Sequence, residues 1–275
     1  MKQYILSLSY GKDSLACLGA IEKLGWELDR IVHAEIWATD AISADLPPVV
    51  EFKKKADAII KERYGIEVEH IHAVRGGAKL TYESIFYRTM KRPRRTEKQQ
   101  DCNTPQITGF ASMFRQYCTG ELKQHTLSRL HQRDSDTKTP VMYLGIAADE
   151  PKRLARLDNI NRISPLAAIS WTETDCRKWC EENDLLSPIY TTATRCGCWF
   201  CHNQSVDQLR LLRKNYPDLW ALLMKWDLDS PGTFRSDGRT IHDFDSRFQK
   251  EDAGVVPTDR TFRWKMVDSI FDQQK

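Results

Sequence analysis

Over its first 71 residues the chain alternates short apolar runs with amphipathic stretches, and that alternation leaves few folds open. Tyr4, Ile5, Leu6 and Leu8 form a run suited to a buried strand, and Ser14 to Leu24 carries Leu15, Leu18 and Ile21 at helical spacing. Leu24-Gly25-Trp26 reads as a helix stop. Arg30 to Trp37 reads as a second strand. Pro47-Pro48 opens a helix to about Tyr64, with Val49, Phe52, Ala56, Ile59 and Ile60 on one face and Gly65 as its end. Ile66 to Ile71 is a third strand. The order β-α-β-α-β predicts an α/β fold built on a doubly wound, mostly parallel sheet.

The first strand and helix are joined by Ser9-Tyr10-Gly11-Lys12-Asp13-Ser14. A strand stops, Gly11 permits a tight turn, Ser7, Ser9 and Ser14 supply hydroxyls, Lys12 supplies charge, and the helix start presents free N–H groups that attract anions. A phosphate suits such a loop. The plainer reading is a strand-to-helix turn capped by Ser9 or Asp13. The G-x-x-x-x-G-K-[ST] loop of common phosphoryl-transfer enzymes is absent.

From Ala73 to about Cys118 the pattern becomes irregular, with a basic run from Arg88 to Lys98 in which Glu97 is the sole acid. A solvated face accounts for most such runs. The functional alternative is a rim for a polyanion, with Tyr82, Phe86 and Tyr87 available to stack on bases of a nucleic acid. The formal net charge of +3 is too small to decide between them. Asp40, just past the second strand, reads as a helix cap or turn residue as readily as a site residue. Beyond Tyr117-Cys118-Thr119-Gly120-Glu121-Leu122-Lys123 a helix is expected to about Gln132, then a strand from Val141 to Ile146. Lys123, Arg153 and Arg156 are candidate anion contacts. Thr172 with Asp175 marks the start of a helix to about Glu182. Val206 to Arg213, Pro217 to Trp226 and about Phe262 to Phe271 read as further helices, with a polar stretch around Phe234 to Arg239.

At 275 residues the chain can bury a sizeable core. We expect an α/β domain over residues 1–190, with the basic insertion at about 75–118, and a cysteine-bearing helical region over 191–275. No run approaches ~18 apolar residues, and Met1-Lys2-Gln3 leads straight into the first strand, so neither a membrane span nor a signal peptide is expected. A cytoplasmic location follows, where disulfides are improbable and clustered thiols point to metal or redox chemistry.

Three of the eight cysteines fall in Cys196-Gly197-Cys198-Trp199-Phe200-Cys201, close enough for one loop to aim them at a common centre. A fourth ligand would come from Cys118, Cys102 or His202. Four thiolates suit a [4Fe-4S] cluster or structural zinc, and spacing does not separate the two. Cys17, Cys176 and Cys180 fall on expected helices and read as buried core.

Several of these pieces resemble the PP-loop ATP pyrophosphatase superfamily, in its phosphoadenosine phosphosulfate (PAPS) reductase-like branch. Ser9 to Ser14 is similar to the S-x-G-K-D-S form of the S-G-G-K-D-S pyrophosphate loop, with Tyr10 in place of the first Gly. Y-C-T-G-E-L-K, G-I-A-A-D-E-P-K-R-L-A-R and the segment from Trp171 to Tyr190 resemble further pieces in order, with Ala147 where an Arg is usual. The resemblance implies an adenine nucleotide alpha hydrolase-like fold. It implies nucleotide contacts from Ser7, Ser9, Tyr10, Gly11, Lys12, Asp13, Ser14, Asp40, Gly145 and Arg153, and catalytic roles for Lys12, Asp13 and Cys118. Iron–sulfur members, including the DNA phosphorothioation sulfurtransferase, contribute a distant cysteine where Cys118 stands, which favours Cys118, Cys196, Cys198 and Cys201 as metal ligands. The implied activity is ATP-dependent adenylation of an acceptor with Mg²⁺, followed by sulfur transfer from a donor protein. A PAPS or adenylylsulfate reductase is the alternative, although no cysteine follows Cys201. A nucleotide- or redox-sensing regulator is the second.

Overall fold

A computed structural model of the chain describes residues 2–90, 106–111, 116–134, 138–193 and 196–258. The basic run beyond Met90, Cys102 and the helix expected near 262–271 lie outside the described residues. The chain divides into two compact units, Met1–Ile85 with Gln116–Trp199, and Phe86–Arg115 with Phe200–Lys275. The division falls at 199–200, and it gives part of the expected insertion to the second unit.

The elements run β1 (Lys2–Ser7), α1 (Lys12–Leu24), β2 (Arg30–Glu35), α2 (Pro47–Tyr64), β3 (Val68–His72), a hairpin of β4 (Val74–Arg75) and β5 (Ala78–Lys79), and α3 (Tyr82–Phe86). A π-helix, Cys118–Gln124, then leads into α4 (His125–Asp134), β6 (Thr139–Tyr143), α5 (Pro151–Leu154), β7 (Arg162–Ile163), α6 (Pro165–Ala168) and α7 (Glu173–Glu182). The second unit carries α8 (Val206–Asn215), α9 (Pro217–Asp229) and α10 (Ile241–Asp252).

In the first unit β3-β2-β1-β6-β7 form one five-stranded sheet, parallel at every pairing. This is an α/β fold, as the alternation of the first 71 residues requires. α1 is buried along most of its length, because Leu15, Ala16, Leu18, Ala20 and Ile21 leave no polar face. Its Gly19 is forced by packing: a Cβ there would lie 2.3 Å from the Trp179 ring of α7. Gly25 and Gly65 end α1 and α2 in the left-handed conformation, as expected of C-cap glycines. α2 buries Val49, Phe52, Ala56 and Ile60, and with them Lys53. The Thr172–Asp175 capping box starts α7 where the sequence places it.

The second unit is organised by aromatic side chains. Phe86, Phe110, Phe200, Trp226, Phe234, Phe244 and Phe248 are all buried, with neighbouring centroids 5.3–6.5 Å apart. The polar stretch after Phe234 leads into a helix, α10, whose Ile241, Phe244 and Phe248 share one buried face. The aromatic residues upstream of the basic run also change role. Tyr82 and Phe86 are 2% and 0% exposed, so neither can stack on a nucleic-acid base. Among the described residues no helix is long and apolar enough to cross a membrane.

Candidate functional site

β1 ends at Ser7, and Leu8 N–H still donates to Val32 O at 2.9 Å before the chain turns away from the sheet. The turn is made at Tyr10, which adopts φ +56°. A left-handed non-glycine residue costs about 1–2 kcal/mol. Burial offsets that cost here: the ring is 1% exposed, lies edge-on to His33, and its hydroxyl bonds Asp57 and reaches His70 Nε2 at 3.2 Å. Burial first, and then Asp57, hold the Tyr10 hydroxyl well above its ordinary pKa. Tyr10 is therefore a buried anchor of the loop.

Gly11 caps α1 without any side-chain bond to the first turn. The Lys12 amide donates to Tyr190 Oη at 3.0 Å. Ser14 Oγ accepts from Ser9 N and Ser9 Oγ at 3.1 and 2.9 Å and donates to Gly11 O at 2.9 Å, so the loop holds its own shape. Lys12 Nζ lies 2.7 Å from both Asp13 and Glu173. Burial opposes its charge, but the two carboxylates outweigh burial and raise the Lys12 pKa. Asp13 is pushed up, chiefly by burial.

Strand order reverses between β1 and β6, and the segment after β6 closes on the loop. A Cβ on Gly145 would lie 2.6 Å from Ser14 N and 2.8 Å from Asp13 C, so only glycine allows this approach. Ala147 N donates to Glu150, which also holds the exposed Arg153 at 2.6 Å. Asp40 is exposed and contributes a carbonyl to Lys79.

Beside the loop lies a cavity of about 230 Å³ lined by Ser7, Ser9, His33, Asp45, Lys123, Cys196 and Cys198, among others. Ser7 and Ser9 come from the end of β1, His33 from β2, and Lys123 from the π-helix that begins at Cys118. Trp199 fixes the cysteine segment: its amide donates to Ala44 O at 3.0 Å and its indole N–H to Ser43 O at 2.9 Å. The Cys196 thiol is raised chiefly by burial.

The structure thus gathers Ser7, Ser9, Cys196 and Cys198 around one cavity, whereas Gly11, Lys12, Asp13, Ser14 and Gly145, which form and close the loop, do not line it. It leaves Asp40 and Arg153 outside the cavity lining. Cys118 heads the π-helix and Cys201 belongs to the second unit. Zinc–sulfur bonds of ~2.3 Å would bring ligating sulfurs to about 4 Å from one another. Among the described residues, Cys118, Cys196 and Cys198 do not form a set within 4.8 Å, so no zinc site is preformed by these three. Cys17, Cys176 and Cys180 are wholly buried between helices, as expected of core thiols.

One group escapes a reading of the sequence alone. Between α2 and the sheet, His33 Nδ1 donates to Leu8 O at 2.9 Å while its Nε2 accepts from Lys53 Nζ at 2.7 Å. Burial, then the Lys53 charge, lower the His33 pKa to about 3, so the ring is neutral. Lys53 also pairs with Asp45 at 2.5 Å. His70 lies 2.9 Å from Asp57 and 3.2 Å from Glu35, which raise it to about 9, and the His70 bond in turn lowers Glu35 to about 2. The available signal was V-H-A-E in β2, two polar residues at alternate positions of a buried strand.

No family model matches this chain, and no curated protein or solved structure matches it.

Proposed function

We propose that the chain is an adenine-nucleotide enzyme of the PP-loop type, with an adenine nucleotide alpha hydrolase-like, doubly wound fold. It would bind ATP at the β1–α1 loop, adenylate an acceptor with release of pyrophosphate, and replace AMP by sulfur. The observation that carries this reading is the shared cavity: the hydroxyl-bearing end of β1 and two thiols, Cys196 and Cys198, line the same space. Ligands of open α/β sheets bind beyond the carboxyl ends of the strands where strand order reverses, and the loop after β1 occupies that place.

The geometry supports the following roles. The N-terminus of α1, where the cap residue makes no side-chain bond although the Lys12 amide is held by Tyr190 Oη, attracts phosphate oxygens. A polyphosphate would draw Lys12 from Asp13 and Glu173, and its ammonium would neutralise charge that develops on the leaving pyrophosphate. Mg²⁺ would enter with the nucleotide. The acceptor oxygen forms a bond to the α-phosphorus while the bond from that phosphorus to the bridging oxygen breaks, and pyrophosphate leaves with the electron pair. A reduced sulfur nucleophile then forms the bond to the activated carbon, and AMP leaves with its oxygen. By the resemblance, Cys118, Cys196, Cys198 and Cys201 would be the ligands of a [4Fe-4S] cluster, which when bound would supply sulfur or electrons. The acceptor class is open to a nucleic acid through the basic run, but Tyr82 and Phe86 take no part in holding it.

The test is equilibrium binding of ATP and of PAPS to the anaerobically purified protein, with pyrophosphate release measured on ATP. Tight binding of ATP, weakened at least tenfold in Lys12→Ala, is expected. Failure of both nucleotides to bind at millimolar concentration refutes the reading, and preference for PAPS turns it toward reduction. Iron, sulfide and zinc analysis of wild type against Cys198→Ala tests the cluster.

A further inference from the structure

We propose that His33, Glu35 and His70 form a mononuclear site for a first-row divalent transition metal, separate from the cysteines and independent of the nucleotide reading. His33 and Glu35 lie two residues apart on β2, so they project from the same face of the sheet, and His70 is the direct cross-strand partner of His33 on β3. One ligand atom from each lies within 4.8 Å of the other two. Bonds of about 2.0–2.2 Å would draw those atoms to roughly 3–3.5 Å, a closure within reach of small side-chain rotations.

The outer contacts are those of metal-binding histidines. The distal nitrogen of a ligating imidazole is normally held by a backbone carbonyl or a carboxylate, which fixes the tautomer and aims the other nitrogen. His33 Nδ1 is held by Leu8 O at 2.9 Å, leaving Nε2 as the ligand atom. His70 Nε2 is held by Asp57 at 2.9 Å, leaving Nδ1, 3.2 Å from the Glu35 carboxylate. Asp57 is itself fixed by the Tyr10 hydroxyl. Three carboxylates, Glu35, Asp45 and Asp57, surround the group. Two imidazoles with one carboxylate suit zinc or iron(II) and leave coordination positions open, whereas magnesium and calcium prefer oxygen sets.

Lys53 is the competitor. Its ammonium lies 2.7 Å from His33 Nε2 and 2.5 Å from Asp45, and it must leave the imidazole before an ion can enter. Asp45 can retain it there. Because His33 and Asp45 also line the cavity of the β1 loop, an ion has a route to the site.

The test is Co²⁺ titration of the full-length, reduced protein, followed by its visible spectrum, with Zn²⁺ displacement and Mg²⁺ as control. Co²⁺ is expected to give nitrogen–oxygen d–d bands for one equivalent, distinct from sulfur-to-metal charge transfer of ions held by the cysteines. Zn²⁺ should displace it and Mg²⁺ should not. Glu35→Gln and His70→Gln should each weaken binding at least tenfold while circular dichroism shows the fold retained. Lys53→Met, which removes the competing ammonium, should tighten binding at least tenfold. Absence of the nitrogen–oxygen signature at millimolar Co²⁺ in both wild type and Lys53→Met, or a signature that Glu35→Gln and His70→Gln leave unchanged, overturns the site.

Discussion

Replacing Gly145 by alanine tests the closest backbone approach in the candidate site. The new Cβ would lie 2.6 Å from Ser14 N, 2.7 Å from Ser14 Cα and 2.8 Å from Asp13 C. Ordinary contacts begin at about 3.4 Å, so the two segments must separate by roughly 0.6–0.8 Å. All three atoms are backbone in the first turn of α1, which is locked by Leu15, Ala16 and Leu18 at 0% exposure, so no flexible side chain can absorb the shift. Overpacking of this kind costs about 1–3 kcal/mol. In a domain of 150–250 residues each kcal/mol moves the melting temperature by about 2–4 °C, so a fall of about 2–12 °C is expected. Gly120 is the control: it lies in the π-helix with nothing within 4 Å of its would-be Cβ, and Gly120→Ala should hold or raise the melting temperature. Calorimetry gives both melting temperatures, and fluorescence titration gives ATP affinity, which should fall at least tenfold in Gly145→Ala because the displaced atoms carry the loop amides. A Gly145→Ala protein that melts within a degree of wild type refutes the close approach, whatever its nucleotide affinity.

Two further outcomes follow from buried ionisable groups. Cys17, Cys176 and Cys180 have no solvent exposure, and burial pushes their thiols up, to about 12 for Cys180. Iodoacetamide labelling followed by mass spectrometry should spare them in the native protein and modify them only after unfolding; native modification of any of the three contradicts their burial. In metal-free protein, Asp57 and Glu35 raise His70 from 6.5 to about 9, so folding strengthens its hold on a proton. That stabilisation is complete below pH 6.5 and is lost as pH rises through 9, so wild type should lose melting temperature relative to His70→Gln across that interval. Parallel profiles would show that His70 is not held by the two carboxylates.

The first unit shows how a strained residue is supported by its surroundings. Tyr10 stands where the resembling loop has glycine, and it turns with φ +56°. The side chain that makes the turn costly also anchors it, since the hydroxyl binds Asp57 from α2 and the ring packs against His33 from β2. Loop, helix and sheet are thereby fixed at one point, next to the cavity that Ser7 and Ser9 line.

The sequence by itself determined the first five elements of the first unit and the start of α7. Apolar runs and helical spacing placed β1, α1, β2, α2 and β3, while Pro47-Pro48, Gly25, Gly65 and the Thr172–Asp175 box set their ends. Those signals are local: a cap or a C-terminal glycine acts within one helical turn. The β1–α1 loop and the cysteine string stood out for the same reason, since each is a run of adjacent residues. Residues brought together across distance were not. Tyr82 and Phe86 looked available for stacking, but only packing could reveal them as core. The helix α10 was missed because its apolar face is sparse between acidic and basic residues. The cavity joining Ser7 to Cys196, and the group of His33, Glu35, Lys53, Asp57 and His70, arise from strand register and from the helix laid over the sheet. Sequence pattern states which face of an element is buried. Only the tertiary structure decides what that face meets, because contacts between elements depend on sheet order and helix placement, which no local spacing encodes.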